Sequence, residues 1–258
     1  MPMNHDDLAD LRYAKSLLEN PGLAARISNA VGTPIEKGLS MLPEGANDLI
    51  ITTTRKALET ALDFAISTLD EQPQQSANWL HKTFAGVSGA AGGAFGLPAL
   101  AIELPVSTTI ILRSIADIAR SEGENIKLAE TRLACLEVFA LGGPARNDDA
   151  VESGYFTVRA ALAKSLAEAA RYMATNATAQ KTAPPLVQLL SKIAARFGIP
   201  VTQKALAQSL PVVGAAGGAL INTLFMDHFQ NMSRGHFIVR RLERVYGEDA
   251  VRRMYLSV

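Results

Sequence analysis

Two ionisable side chains stand in strongly apolar surroundings. Glu103 is the one charge between Phe84 and Leu112, a run containing "VSGAAGGAFGLPALAIELPVSTTIIL", and His228 comes just after a charge-free run from Ala205 to Met226. A carboxylate and an imidazole in such places are components of a general acid–base pair, a metal site or a structural ion pair. The tract "GAAGGA" occurs twice, at 89–94 and 214–219, and Glu103 and His228 each lie ten residues beyond a glycine of it, Gly93 and Gly218. If the two tracts pack as equivalent elements, the acid and the imidazole meet at one depth. Burial of an isolated carboxylate costs several kcal/mol, so a partner is expected: His228, Arg113, Arg240 or a metal ion.

Further candidates lie on the same segments. If helix continues through Pro105, then Glu103, Ser107, Ser114 and Asp117 share a stripe, and Arg113 with Asp117 forms an i, i+4 pair. The later stretch "HFQNMSRGHFIVRRLE" puts His228, Met232, His236 and Glu243 near one face. Eight residues of helix rise about 12 Å, so His228 and His236 do not ligate one metal together. The bland role for His236 is a core or boundary histidine bonded to a carboxylate or carbonyl. Arg234, Arg240, Arg241, Arg244, Arg252 and Arg253 make a basic C-terminal region, whose partners are acids within the fold or, functionally, phosphate, anionic lipid or another protein. Arg113, Asp117, His236, Arg240 and Glu243 are therefore candidate ligand-binding residues, with Glu137 a further acid. "GVSGA" at 86–90 lacks the last glycine of the nucleophile elbow and has no strand before it, which sets Ser88 aside. No phosphate loop or dinucleotide fingerprint is present, and the cofactor and any metal stay open.

The elements that must position these residues are helical. Apolar residues make up 48% of the chain but aromatics only 6%, a composition of alanine, leucine and glycine that favours close helix packing over sheet. Asp6 or Asp7 caps a first helix ended by "NPG" at 20–22. Residues 48–69 place Ile51, Leu58, Leu62, Ala65 and Leu69 on one stripe, although the early Ile and Thr run also suits a strand. "DEQPQQS" at 70–76 reads as a linker, followed by a short helix holding Trp79. Helices are expected from Pro105 to Gly123, over 128–144 with Leu128, Cys135, Leu136 and Phe139 inward, from about Asp149 to Tyr172, from Pro184 to Phe197, from Pro200 onward, and over 211–231 and 232–246, before a frayed tail with Tyr255. The fold class is all-α: one multi-helix unit around two Gly/Ala-rich apolar segments, with residues 1–40 as an N-terminal arm and 41–258 as the main domain.

Charge is balanced at 25 basic and 25 acidic residues, which gives no general attraction to nucleic acid. Cys135 is the one cysteine and reads as a buried small hydrophobe. With an acidic N-terminus lacking a secretory h-region, this points to the cytoplasm. The long apolar runs weigh a spanning or partly inserted element against a buried hairpin. Pro98, Glu103, Pro105, Pro211 and Asn222 within them favour the hairpin.

The residues "SGAAGGAFGLPALAIELPVSTTIILRSIADIARSEG", "LACLEVFALGG" and "LPVVGAAGGALINTLFMDHFQNMSRGHFIVRRLERVYG", within a span from about Leu42 to Tyr255, resemble the EcsC family of bacterial proteins. The resemblance implies a helical cytoplasmic protein near membranes, with a protein partner linked to an ABC transporter, and supplies no catalytic residues. Two functions are expected: an accessory or binding protein, peripheral to the membrane, that engages lipid or an apolar ligand; or an enzyme, metal-dependent or not, using Glu103 and His228.

Overall fold

The structure, a computed structural model, describes residues 3–19, 22–32, 45–67, 96–142, 154–176, 180–209 and 214–258. Among them the elements are α1 (His5–Glu19), α2 (Leu23–Val31), α3 (Ala46–Ser67), α4 (Gly96–Ser121), α5 (Ala129–Glu137) with a 3-10 turn at Val138–Ala140, α6 (Gly154–Thr175), α7 (Pro184–Ser209), α8 (Gly214–Tyr246) and α9 (Glu248–Ser257). No strand occurs among the described residues, and the all-α expectation holds. The linker at 70–76, the Trp79 helix and the first "GAAGGA" lie outside them.

Local chemistry corrects several boundaries. Asn4 caps α1, its Oδ1 accepting from the Asp7 N–H at 2.7 Å, so the helix begins before Asp6. In α3 the buried face is centred on Ala57 and Ala61, which leaves Ile51 at its edge and 62% exposed while Ile50 is buried. Leu58, Leu62 and Ala65 of the expected stripe are buried, and Leu69 lies outside the described residues. Leu128 precedes α5 in extended backbone and is exposed, whereas Cys135, Leu136 and Phe139 are buried as expected. Pro105 and Pro200 sit inside α4 and α7 rather than opening helices. Both elements run through a proline that lacks its own N–H, a local cost of about 3 kcal/mol that tertiary packing offsets. The expected pair over 211–246 is one helix of 33 residues, ended by Gly247 at φ 84°. The expected frayed tail is α9, and Tyr255 is fully buried.

α8 is the central element. α1, α2, α4, α7 and α9 pack on it, while α3 lies along α4 and α7 and α6 bridges α5 and α7. Phe139, Phe197, Phe225 and Phe229 form a cluster at ring separations of 4.9–6.2 Å that joins the 3-10 turn, α7 and α8. The expected N-terminal arm contributes α1 and α2, whose Leu11, Ala14, Leu23 and Ile27 belong to the same core. α8 comes close to α1 at Gly235, where a Cβ would stand 3.0 Å from the Ala14 carbonyl. At Gly218 of the second glycine tract a Cβ would meet nothing within 4 Å, so that tract is not pressed against a neighbouring helix there. Among the described residues no helix is long and apolar enough to cross a membrane.

Candidate functional site

Glu103 is buried on α4, and its partner is a lysine from α7. Lys204 Nζ donates to Glu103 Oε1 at 2.5 Å and Gln208 Nε2 to Oε2 at 3.3 Å, while the ammonium lies 4.7 Å from the centre of the Phe225 ring. Burial lowers the Lys204 pKa, opposed by the adjoining Glu103 carboxylate. The expected partners His228, Arg113 and Arg240 do not take part. The register explains why: α4 and α8 run in the same direction, with Gln230 bonded to Ser114, 116 positions away, and Arg241 to Glu122, 119 away. Meeting of Glu103 and His228 needs a separation of 125, a slip of several residues at about 1.5 Å each.

His228 packs instead against Gly142, where an added Cβ would fall 2.7 Å from its Cε1, and edge-on to Phe229. Its Nε2 makes no hydrogen bond, and burial, with Arg26 adding to it, holds its pKa down at about 4. Asp117 is half exposed and pairs with Arg120 rather than Arg113, whose buried Nε has no hydrogen-bond partner.

The other sequence candidates converge elsewhere. His236, Arg240 and Glu243 recur at i, i+4 and i+7 along α8 and face Glu137 at the end of α5 and Tyr155 and Arg159 on α6. Arg159 grips both Glu243 oxygens at 2.6 and 2.9 Å and donates at 3.4 Å to the Tyr155 hydroxyl, which lies 3.0 Å from His236 Nδ1. The Tyr155 hydroxyl thus links the guanidinium of Arg159 to the imidazole of His236, whose other ring nitrogen is Nε2. That nitrogen is 3.9 Å from Glu137 Oε2. Arg240 is held by Glu124, Nε to Oε1 at 2.8 Å, and Arg244 and Thr131 also bond Glu124.

Electrostatics separate the two neighbours. Burial pushes the Glu137 pKa up to about 7, with Arg159 and Arg240 opposing and Glu243 reinforcing the rise. Burial holds His236 well below its ordinary value, and Arg159 and Arg240 add to that, so the ring is neutral at pH 7. Burial also raises Tyr155. Above this group opens a cleft of about 550 Å³ between α5, α6, α8 and α9. Its α6 wall includes Phe156, Ala160, Ala163, Ala167 and Ala170, spaced 4, 3, 4 and 3 residues apart, with Arg159 and Leu166 beside them, and its outer polar groups include Glu130, Glu248, Asp249 and Arg252. Cys135 is fully buried and its thiol pKa is raised by burial. Among the described residues no group of three or more His, Cys, Asp or Glu is placed to hold a metal ion.

The basic C-terminal region is largely committed within the fold. Arg241 bonds Glu122, Asp10 and Asp7, while Arg240 and Arg244 share Glu124. Sequence reasoning named four residues of the cleft group, Glu137, His236, Arg240 and Glu243, and missed Tyr155, Arg159 and Glu124. The i, i+4 pair Tyr155–Arg159 and the regular alanine seam that follows were the available signals.

The model of the EcsC protein family matches residues 19–242, most of the chain. The chain belongs to the EcsC family. Among curated proteins and solved structures, none matches it. In this EcsC-family chain the matched span includes Glu137, Tyr155, Arg159, His236 and Arg240, and ends one residue before Glu243.

Proposed function

We propose that this EcsC-family protein is a non-catalytic binding protein whose cleft between α5, α6, α8 and α9 takes an amphipathic molecule with a single alkyl or acyl chain. The asymmetry of the cleft supports this reading: the apolar side chains of α6, from Phe156 through the alanines and Leu166 to Ala170, face Glu137, Arg240 and Glu243, with Arg159 at the boundary and Glu130, Glu248, Asp249 and Arg252 farther out. Pockets of a few hundred Å³ with apolar walls and a few convergent polar groups are the usual form of a small-molecule site. Membrane lipid is the natural source of such a chain. Ile102 and Leu220, exposed near the starting ends of the co-directional α4 and α8, offer apolar contact to a bilayer surface. An accessory role at the cytoplasmic face beside a transporter fits this reading and the family resemblance.

The test is binding of a fluorescent dodecyl-chain probe followed by polarisation. Saturable one-to-one binding is expected, and Ala163→Trp, which fills the wall, is expected to abolish it while circular dichroism stays unchanged. Absence of saturable binding by the unaltered protein sinks the reading. One observation favours an enzyme instead: a carboxyl group whose burial raises its pKa to about 7, 3.9 Å from an imidazole nitrogen, is suited to general acid–base chemistry. In that alternative the acid and imidazole are Glu137 and His236.

A further inference from the structure

The Glu137 carboxylate lines the cleft, yet its side chain is only 5% exposed and it makes no hydrogen bond among the described residues; His236 Nε2 stands 3.9 Å from its Oε2. That nitrogen is buried and also without a hydrogen bond. The nearby cations do not complete the site. Arg159 is engaged by both oxygens of Glu243, and Arg240 by Glu124. In the lining as a whole carboxylates outnumber guanidinium groups five to three. A buried acid left over after Arg159 and Arg240 are paired with other carboxylates is a site for a cation from outside.

We propose that the cleft ligand carries an ammonium head that ion-pairs with Glu137, its single alkyl chain lying along the alanine wall of α6. This rests on the binding reading above and adds the sign and chemistry of the head. An anionic head at the floor is disfavoured, because Arg159 and Arg240, which would receive it, already hold Glu243 and Glu124. A metal ion is disfavoured by the donor set. A primary or quaternary amine needs one acid and an apolar approach, which are what the cleft presents. An amine-headed lipid and a free alkylamine present the same head, and the same contact serves both.

The experiment displaces the dodecyl-chain probe at pH 8 with decylamine, decanol and decyl sulfate, each below its micelle-forming concentration. Decylamine is expected to bind about ten- to a hundredfold more tightly than decanol, the range of a charge-assisted hydrogen bond, with decyl sulfate weakest. In Glu137→Gln the preference for decylamine over decanol disappears, and circular dichroism shows that the variant is folded. Probe binding with no amine preference overturns the inference and leaves the binding reading standing. A preference that survives Glu137→Gln overturns it as well, since the cation then sits elsewhere. Failure of the probe to bind removes both. A single-chain lysophosphatidylethanolamine run beside decylamine distinguishes the sources: tighter displacement by the lipid assigns a headgroup, and by decylamine a free amine.

Discussion

Glu137 Oε2 and His236 Nε2 face each other across 3.9 Å at the floor of a cleft, the acid tending to be neutral and the imidazole held neutral by the same burial. Two groups that would form an ion pair in water are thus kept apart from their charges, and each can be followed by how stability varies with pH.

Glu137 retains its proton in the folded state up to about pH 7 but loses it near 4.5 when unfolded. The folded state therefore binds more protons in that window, and this group's contribution to stability declines as pH rises through it, by about 3 kcal/mol in all. Glu137→Gln is expected to remove the decline. Urea unfolding at pH 4 and pH 8 should show the variant gaining on the unaltered protein by about that amount at the higher pH; equal differences at both would contradict the assignment.

His228 has the opposite sign. Its folded pKa is about 4 against 6.5 unfolded, so the unfolded chain takes up the extra proton and stability drops as pH falls from 6.5 toward 4, by about 3 kcal/mol. His236 adds a loss in the same direction. His228→Gln should flatten the acid limb of the melting-temperature profile and leave the pH 8 value little changed in slope.

The Glu103–Lys204 pair is closed off from water on both sides, with side-chain exposures of 3% and 1%. Glu103→Gln strands the lysine and is expected to cost about 3–5 kcal/mol. The double variant Glu103→Leu, Lys204→Met should recover most of that loss, since a well-packed apolar pair often equals a buried ionic one. A double variant no better than the single in urea titration would mean that the pair does more than fill the core.

Two glycines of α8 make a contrasting pair. Gly235→Ala places a methyl 2.6 Å from Leu18 Cγ and 3.0 Å from the Ala14 carbonyl, and is expected to cost about 1–3 kcal/mol by prising α1 from α8. Gly218→Ala meets open space and should stabilise by about 0.5–1 kcal/mol through helix propensity alone. Thermal melts of both variants check the sign.

The helical class was legible because periodicity and small-residue composition are local properties. Boundaries at Pro105, Pro200 and residue 231 were misplaced, because breaker residues are read locally while packing along α4, α7 and α8 decides whether a helix continues. In the site, His236, Arg240 and Glu243 were visible as a spacing on one helix. Lys204 was not, because its partner lies 101 positions away and nothing in a sequence states that separation. The pairing of Glu103 with His228 failed on register: two similar tracts fix a motif, but side-chain contacts such as Ser114 with Gln230 fix how helices slide.

The family match begins at residue 19, at the last residue of α1, yet Leu11 and Ala14 of that helix are wholly enclosed and Asp7 and Asp10 neutralise Arg241. Cutting the polypeptide where the shared segment starts would uncover a greasy strip on the central helix and leave Arg241 with Glu122 alone. The portion that marks kinship is shorter than the portion that encloses the core.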